Sequence, residues 1–173
     1  MHLVRDPLPE PRHPARLTPV RVVGVGNPEA GDDAVGLLAV RSARADLEAL
    51  GAEVVETGAG LHVVDLIAGA DAVVVVDAVR APAGVRPPGT IVRAEAGPEG
   101  LPAEVGSSLS SHGFGVAEAV GLAAALNDAP RVVFLGVEVA DVTAGHGLSD
   151  VVAAALPELT ARVVAEARLL STT

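Results

Sequence analysis

Residues 72–78 read Ala-Val-Val-Val-Val-Asp-Ala, a short apolar run that closes on one acidic residue, Asp77. Four consecutive valines are typical of a strand that is buried on both faces, as in a parallel sheet. A carboxylate at the end of such a strand loses hydration, which is costly unless a cation, hydrogen bonds or a proton compensates. Asp77 is therefore a candidate functional residue, and an Asp bonded to neighbouring loop amides is an equally good interpretation of the same position.

On both sides of this run, Val-rich stretches alternate with stretches of helical periodicity, which is typical of βα units. The pattern predicts five strands, at residues 20–26, 52–57, 72–78, 90–95 and 131–139. It predicts four helices, at residues 33–50, 61–68, 114–126 and 149–170. Pro157 is expected to kink the last helix or to start a new segment. The expected fold is α/β, a three-layer sandwich in which a mostly parallel, five-stranded twisted sheet carries helices on both faces.

The connection between the third and fourth strands is the exception to the βα pattern. Residues 81–89 hold three Pro and two Gly, too turn-rich and too short for a crossover helix. The two strands are therefore predicted to form an antiparallel hairpin. Residues 1–19 form a Pro-rich flexible tail in this interpretation, and residues 20–173 form one domain.

Composition and charge exclude several classes of function. The formal net charge is −10, with twelve Arg and no Lys, which argues against a surface that follows nucleic-acid phosphates. Without cysteine there is no disulfide, no thiolate nucleophile and no Cys-ligated metal. No apolar run approaches the roughly 20 residues of a spanning helix, and residues 1–19 lack the apolar core of a secretory signal. We expect a cytoplasmic protein that binds neither nucleic acid nor membrane.

In doubly wound sheets, ligands bind in the crevice outside the carboxyl ends of the strands. The ionisable residues that follow the predicted strand ends are Asp32 and Asp33, Asp77, His112, and the group Glu138, Asp141 and His146. Because adjacent side chains on a helix start point about 100° apart, Asp32 is a candidate N-cap and Asp33 can face the crevice. Gly24 and Gly26 lack the third glycine of a dinucleotide fingerprint, so nucleotide binding is a weak interpretation. His146 has the least weight of these candidates.

Five segments occur in a fixed order. They are Gly24-Val25-Gly26-Asn27 followed by Gly31-Asp32-Asp33-Ala34-Val35-Gly36, Gly58-Ala59-Gly60, Val74-Val75-Val76-Asp77-Ala78, Ser111-His112-Gly113, and Leu135-Gly136-Val137-Glu138 with Gly147-Leu148-Ser149. Together they resemble the hydrogenase maturation protease family, the endopeptidases that process the large subunit of nickel–iron hydrogenases. The resemblance extends over residues 22–170, and Ala34 departs from it where relatives often have Gly.

The resemblance implies a phosphorylase/hydrolase-like α/β fold and an endopeptidase that removes a C-terminal extension from the hydrogenase large-subunit precursor after nickel insertion. It implies that Asp33, Asp77 and His112 contact the metal and that Asp33 and Asp77 are catalytic. Gly26, Asn27, Gly58 and Gly60 are expected to bind the substrate. The nickel is supplied by the substrate, so no tightly bound cofactor is expected, although another divalent ion could occupy the site. The protein is expected to act as a monomer whose partner is the precursor.

Three other interpretations remain open from the sequence. A non-proteolytic, metal-sensing assembly chaperone would use the same crevice without cutting. A peptidyl-tRNA hydrolase also has a first strand that runs into Gly-x-Gly-Asn-Pro, here Gly24–Pro28, but the resemblance ends there and a chain with a charge of −10 is poorly suited to tRNA. In a degenerate fold, the Asp and His residues would have a purely structural role.

Overall fold

The structure, a computed structural model, describes residues 18–58, 60–82, 84–105, 107–108, 115–126 and 130–172. The strands are β1 (Thr18–Val25), β2 (Glu53–Thr57), β3 (Ala70–Arg80), β4 (Ile91–Glu95), β5 (Ser107–Ser108) and β6 (Arg131–Glu138). The helices are α1 (Val35–Ala49), α2 (Gly60–Ala68), α3 (Val116–Ala125) and α4 (Asp150–Ser171). Short 3-10 helices span Gly31–Ala34 and Ala103–Val105.

The strands form one sheet in the order β2-β1-β3-β6-β4, with β5 paired to the end of β3. β2, β1, β3 and β6 are parallel, so their carboxyl ends lie along the same edge of the sheet. β4 is antiparallel to β6, and β5 is antiparallel to β3. The α/β class with a mostly parallel sheet is thereby confirmed.

Two apolar cores, one on each face of the sheet, hold the helices in place. Val74, Val76 and Ala78 of β3 face the core that contains α1 and α4. Val73, Val75 and Val79 face the core that contains α2 and α3. The run of valines is buried on both faces because β3 is the central strand and alternate side chains enter opposite cores.

The predicted β3–β4 hairpin is wrong. β6 lies between the two strands, with Asp77 beside Gly136 on one side and Val92 beside Gly136 on the other. The side chains of β6 from Val132 to Glu138 are all buried, as expected of an interior strand with helices on both faces of the sheet. β4 is antiparallel as expected, but its partner is β6, and β3 finds its own antiparallel partner in β5, a two-residue strand that the sequence did not reveal.

The structure refines the predicted bounds of α4 and β1. α4 continues from Asp150 to Ser171 and does not start a new segment at Pro157, with buried Val152 and Leu159 on the two sides of the proline, so the kink stays a prediction. β1 begins at Thr18, two residues before the predicted start, and residues 1–17 lie outside the described residues, so the tail stays a prediction. Among the described residues, no helix is both long and apolar enough to cross a membrane.

Candidate active site

The turn after β1 brings Asp33 back against the end of that strand. Gly26 has a φ of +149°, and a Cβ added there would lie 1.9 Å from the backbone oxygen of Asp33. The backbone N–H of Asn27 donates to Oδ2 of Asp33 at 3.0 Å. Gly26 is therefore required for the close return of the chain, because any side chain would push Asp33 away.

Asp33 is partly buried and poorly supplied with hydrogen-bond donors. Among the described residues, its carboxylate accepts a hydrogen bond from the Asn27 N–H. Burial raises the pKa of Asp33 above its ordinary value, and the hydrogen bond from Asn27 lowers it only in part. A bound cation or proton stabilises a carboxylate in this state, which is the property expected of a metal ligand or a general base.

Asp32 has the opposite environment and is not the N-cap that the sequence suggested. Its side chain is fully buried, and neither the first 3-10 helix nor α1 has a side-chain cap. The Asp32 carboxylate accepts hydrogen bonds from the backbone N–H groups of Ala140 and Asp141, at 2.8 Å each. It also accepts hydrogen bonds from the N–H of Ser149 at 2.7 Å and from the Ser149 hydroxyl at 2.9 Å. Burial acts to raise the pKa of Asp32, but these hydrogen bonds outweigh it and lower the pKa. Asp32 thus fixes the loop at residues 139–149 to the sheet edge.

Asp77 lies on β3 and is 1% exposed. It does not end the strand, because β3 continues for three residues to Arg80 and pairs there with β5. Its side chain is on the same face as Val75 and Val79, and its Oδ1 accepts the N–H of Ala78 at 2.8 Å. A carboxylate this deeply buried requires compensation, as the sequence indicated.

The first turn of α1 joins the element of Asp33 to the strand of Asp77. A Cβ added at Gly36 would lie 2.4 Å from the backbone oxygens of both Val25 and Val76. The 3-10 helix that carries Asp33 also contacts β3. The two acidic residues therefore lie on touching elements at one sheet edge.

The third predicted ligand, His112, lies outside the described residues. Within the ranges that the structure describes, no group of three His, Asp or Glu side chains is arranged to hold a metal ion. The predicted set of Asp33, Asp77 and His112 thus stays a prediction.

A family model described as "Hydrogenase maturation protease" matches residues 39–166 of the chain. The chain belongs to the hydrogenase maturation protease family. As a member, it is a hydrolase of the endopeptidase type. The matched range includes Asp77 and His112, and Asp33 precedes it.

Solved structures of hydrogenase maturation proteases have the same fold as this chain. The hydrogenase maturating endopeptidase HybD from E. coli is 24% identical with a TM-score of 0.70, covering 87% of this chain and 92% of its own. HybD from Thermococcus kodakarensis is 24% identical with a TM-score of 0.63, covering 86% and 98%. The protease HycI from T. kodakarensis is 20% identical with a TM-score of 0.65, covering 88% and 93%. A search of curated proteins finds no match.

The predicted substrate-binding residues of this maturation protease lie where β1 and β2 end. The N–H of Gly26 donates to the backbone oxygen of Thr57 at 3.2 Å, and a Cβ added at Gly58 would lie 3.6 Å from the backbone oxygen of Gly26. Asn27 and Gly58 are exposed, and α2 begins at Gly60. Among the described residues, this edge therefore has exposed backbone, which is suited to main-chain contacts. Their role in binding stays a prediction.

Glu138 is one of the ionisable residues noted at the strand ends, without a specific role, and it is 4% exposed at the end of β6. Its Oε1 accepts a hydrogen bond from the N–H of Ala81 at 2.9 Å, and its Oε2 pairs with Nε of Arg86 at 3.2 Å. As at Asp77, a charged residue that closes a strand buried on both faces indicates a need for a partner. The loop residues Asp141 and His146 are exposed, and hydrogen bonds from Thr143 lower the pKa of Asp141.

Proposed function

We propose that this protease removes a C-terminal extension from the large-subunit precursor of a nickel–iron hydrogenase, and that it reads the nickel already bound in that precursor. The observation that carries the proposal is the pair of carboxylates on touching elements of one sheet edge. Among the described residues, Asp33 accepts one hydrogen bond, and Asp77 is buried. In a chain of this family, such a pair is suited to a substrate that brings its own cation.

The donor chemistry fits a divalent ion held partly by the precursor. Carboxylate oxygens suit hard and borderline ions, and imidazole suits nickel. Asp33, Asp77 and His112 would supply two oxygens and one nitrogen, leaving further positions for ligands from the precursor. Three ligands alone bind free metal weakly. The protease therefore needs no resident metal, and it engages the precursor only after nickel has been inserted.

Hydrolysis requires a base for the attacking water. The raised pKa of Asp33 brings this carboxylate closer to working pH, which favours it as the group that takes the proton. Water attacks the scissile carbonyl carbon, the C–N bond breaks, and the proton passes to the leaving amine. Asp77 then serves to hold the nickel-bearing segment of the precursor, and Asn27 and Gly58 bind its main chain.

The test is incubation with precursor in nickel-loaded and nickel-free forms, followed by intact mass measurement. The wild-type protein is expected to release the extension from the nickel-loaded form alone. Asp77→Asn should slow the release markedly, and the control Asp71→Asn, which changes an exposed Asp at the other end of the same strand, should not. Equal cutting of both precursor forms would refute nickel recognition, and binding without any mass loss would favour an assembly chaperone.

The cellular setting completes the proposal. We expect a cytoplasmic monomer whose partner is the precursor, with neither nucleic acid nor membrane bound. The net charge of −10 supports the absence of nucleic acid, because phosphate contacts need clustered positive charge. Sedimentation at working concentration measures the oligomeric state, and a stable dimer would contradict the expectation.

A further inference from the structure

Asn27, the residue that donates to Asp33, keeps one polar group that the turn after β1 does not use. Its N–H donates to Oδ2 of Asp33 at 3.0 Å, and its backbone oxygen accepts the N–H of Ala30 at 3.2 Å. Its side-chain oxygen, Oδ1, accepts the N–H of Glu29 at 3.0 Å. Within the described part of the chain, the amide nitrogen Nδ2 has no acceptor, although it carries two N–H donors. The turn thus uses every polar group of Asn27 except this one.

The hydrogen bond from Glu29 decides which end of the Asn27 amide is left over. A backbone N–H can only donate, so the amide atom that meets it must be the oxygen, and the nitrogen lies at the opposite end. Asn27 is exposed at the sheet edge. The turn itself is fixed, because the N–H of Gly145 donates to the backbone oxygen of Glu29 at 2.9 Å. The side chain therefore presents a hydrogen-bond donor in a set orientation before a substrate binds.

Asp33, the proposed base, lies within the reach of one side chain from this donor. Its Oδ2 is 3.0 Å from the backbone nitrogen of Asn27. Because the backbone and amide nitrogens of one Asn are at most about 5 Å apart, Nδ2 lies within about 8 Å of Asp33 Oδ2. A water, a carbonyl group and two hydrogen bonds fit into that space, because each of these contacts spans about 3 Å. A peptide bond that is attacked by a water on Asp33 can therefore have its carbonyl oxygen on Asn27.

We propose that Nδ2 of Asn27 is the oxyanion donor of this protease and gives a hydrogen bond to the oxygen of the scissile carbonyl. When water attacks the carbonyl carbon, a C–O bond forms and the electron pair of the C=O bond moves onto this oxygen. The donor stabilises the negative charge that develops there and keeps its own proton. The C=O bond then forms again, the C–N bond breaks, and the leaving amine takes the proton that Asp33 received from the water.

This inference rests on the proposed function and makes the main-chain contact of Asn27 a catalytic one. A contact that only binds the precursor acts equally on the ground state and the transition state, and its loss raises KM. A donor to the developing oxyanion acts mainly in the transition state, and its loss lowers kcat. The two roles of Asn27 are therefore separated by steady-state kinetics.

The experiment measures kcat and KM for nickel-loaded precursor with three variants. Asn27→Ser keeps a side-chain oxygen that can accept the Glu29 N–H but has no amide nitrogen. It is expected to lower kcat about 100-fold with KM unchanged, the usual loss for one oxyanion donor. Asn27→Ala, which also loses the oxygen, should be as slow and less stable in urea unfolding. The matched control is Glu29→Gln, which changes another exposed side chain of the same turn and should leave kcat and KM within about twofold of the wild type.

Two results would overturn the oxyanion donor. A wild-type kcat for Asn27→Ser would show that closing the turn through Oδ1 is the only task of this side chain. A raised KM with unchanged kcat would show a contact that acts on the bound precursor alone. Equal cutting of nickel-loaded and nickel-free precursor refutes nickel recognition, and the kcat of Asn27→Ser on either form then still tests the donor. A wild-type protein that cuts neither form refutes both proposals.

Discussion

Asp32 and Asp33 are neighbours in the chain, but the fold gives them opposite environments. In the part of the chain that the structure describes, the Asp32 carboxylate accepts hydrogen bonds from three backbone N–H groups and one hydroxyl, whereas the Asp33 carboxylate accepts one from a backbone N–H. Burial acts to raise the pKa of both carboxylates, yet the pKa of Asp32 is lowered and that of Asp33 is raised. Burial alone therefore does not decide the state of a carboxylate. The supply of hydrogen-bond donors decides whether it is satisfied by its own chain or available to a ligand.

This difference gives Asp32 a structural role and supports the chemical role that we propose for Asp33. The Asp32 carboxylate accepts its hydrogen bonds from the loop at residues 139–149, including the Ser149 that precedes α4. Within the described ranges, the Asp33 carboxylate accepts one hydrogen bond, and it lies at the edge where the substrate is proposed to bind. Mutations at these adjacent positions should consequently separate stability from activity, which is the basis of the predictions below.

The largest expected effect is on catalysis at Asp33. Asp33→Asn should lower the rate of precursor cleavage about 1,000-fold, the usual range for loss of a general base or metal ligand. Because the raised pKa of Asp33 means that its ionised form is disfavoured in the fold, the amide should leave the free energy of unfolding unchanged or slightly higher at neutral pH. Single-turnover cleavage and urea unfolding measure the two quantities. If Asp33→Asn lost as much stability as Asp32→Asn, the proposed contrast between a structural Asp32 and a chemical Asp33 would be refuted.

At Asp32 we expect an effect that is smaller in free energy and that lowers stability, not the cleavage rate. Asp32→Asn places an amide NH₂ among backbone donors and leaves buried N–H groups without an acceptor, which should cost about 3 kcal/mol of unfolding free energy. The cleavage rate per folded molecule should stay within about threefold of the wild type, because Asp32 is not proposed to touch the substrate. Urea midpoints and rates normalised to folded protein test this. A stable but inactive variant would place Asp32 in the chemistry instead.

The smallest effect is the pH dependence of the Asp32 contribution. The folded-state pKa of Asp32 lies below the unfolded value of 3.8, so its stabilisation is complete above that value and is lost as pH falls through the folded pKa. The urea midpoint of Asp32→Asn should therefore lie well below that of the wild type at about pH 7, and this difference should be smaller at about pH 3. A difference that stays constant across this range would mean that the charge of Asp32 does not matter.

Local patterns predicted where the two acidic residues, Asp33 and Asp77, lie in the fold. The valines before Asp77 are buried on both faces, and their pattern alone predicted a central strand with a buried carboxylate. The position of Asp33 followed from the rule that a helix start after a parallel strand lies at the carboxyl edge. Both depend on residues close together in sequence, where periodicity and turn chemistry are informative.

The errors concern partners far away in the chain. The donors to Asp32 lie 108 to 117 residues later, so no local pattern distinguishes this residue from an N-cap. The insertion of β6 between β3 and β4 has the same cause, because β6 pairs with strands that lie far from it in the chain and the loop between β3 and β4 carries no sign of it. The role of Glu138 likewise depends on Arg86, which is 52 residues away.

The central claim is that Asp33 and Asp77 act on one substrate-borne ion. A double-mutant cycle on the cleavage rate of nickel-loaded precursor tests it, with Asp33→Asn, Asp77→Asn and the combined variant. If both carboxylates serve the same ion, the double variant should be about as slow as the slower single variant, because residues that act as a unit are strongly non-additive. If the two losses multiply, the carboxylates act independently, and the account of a shared metal-reading site is contradicted.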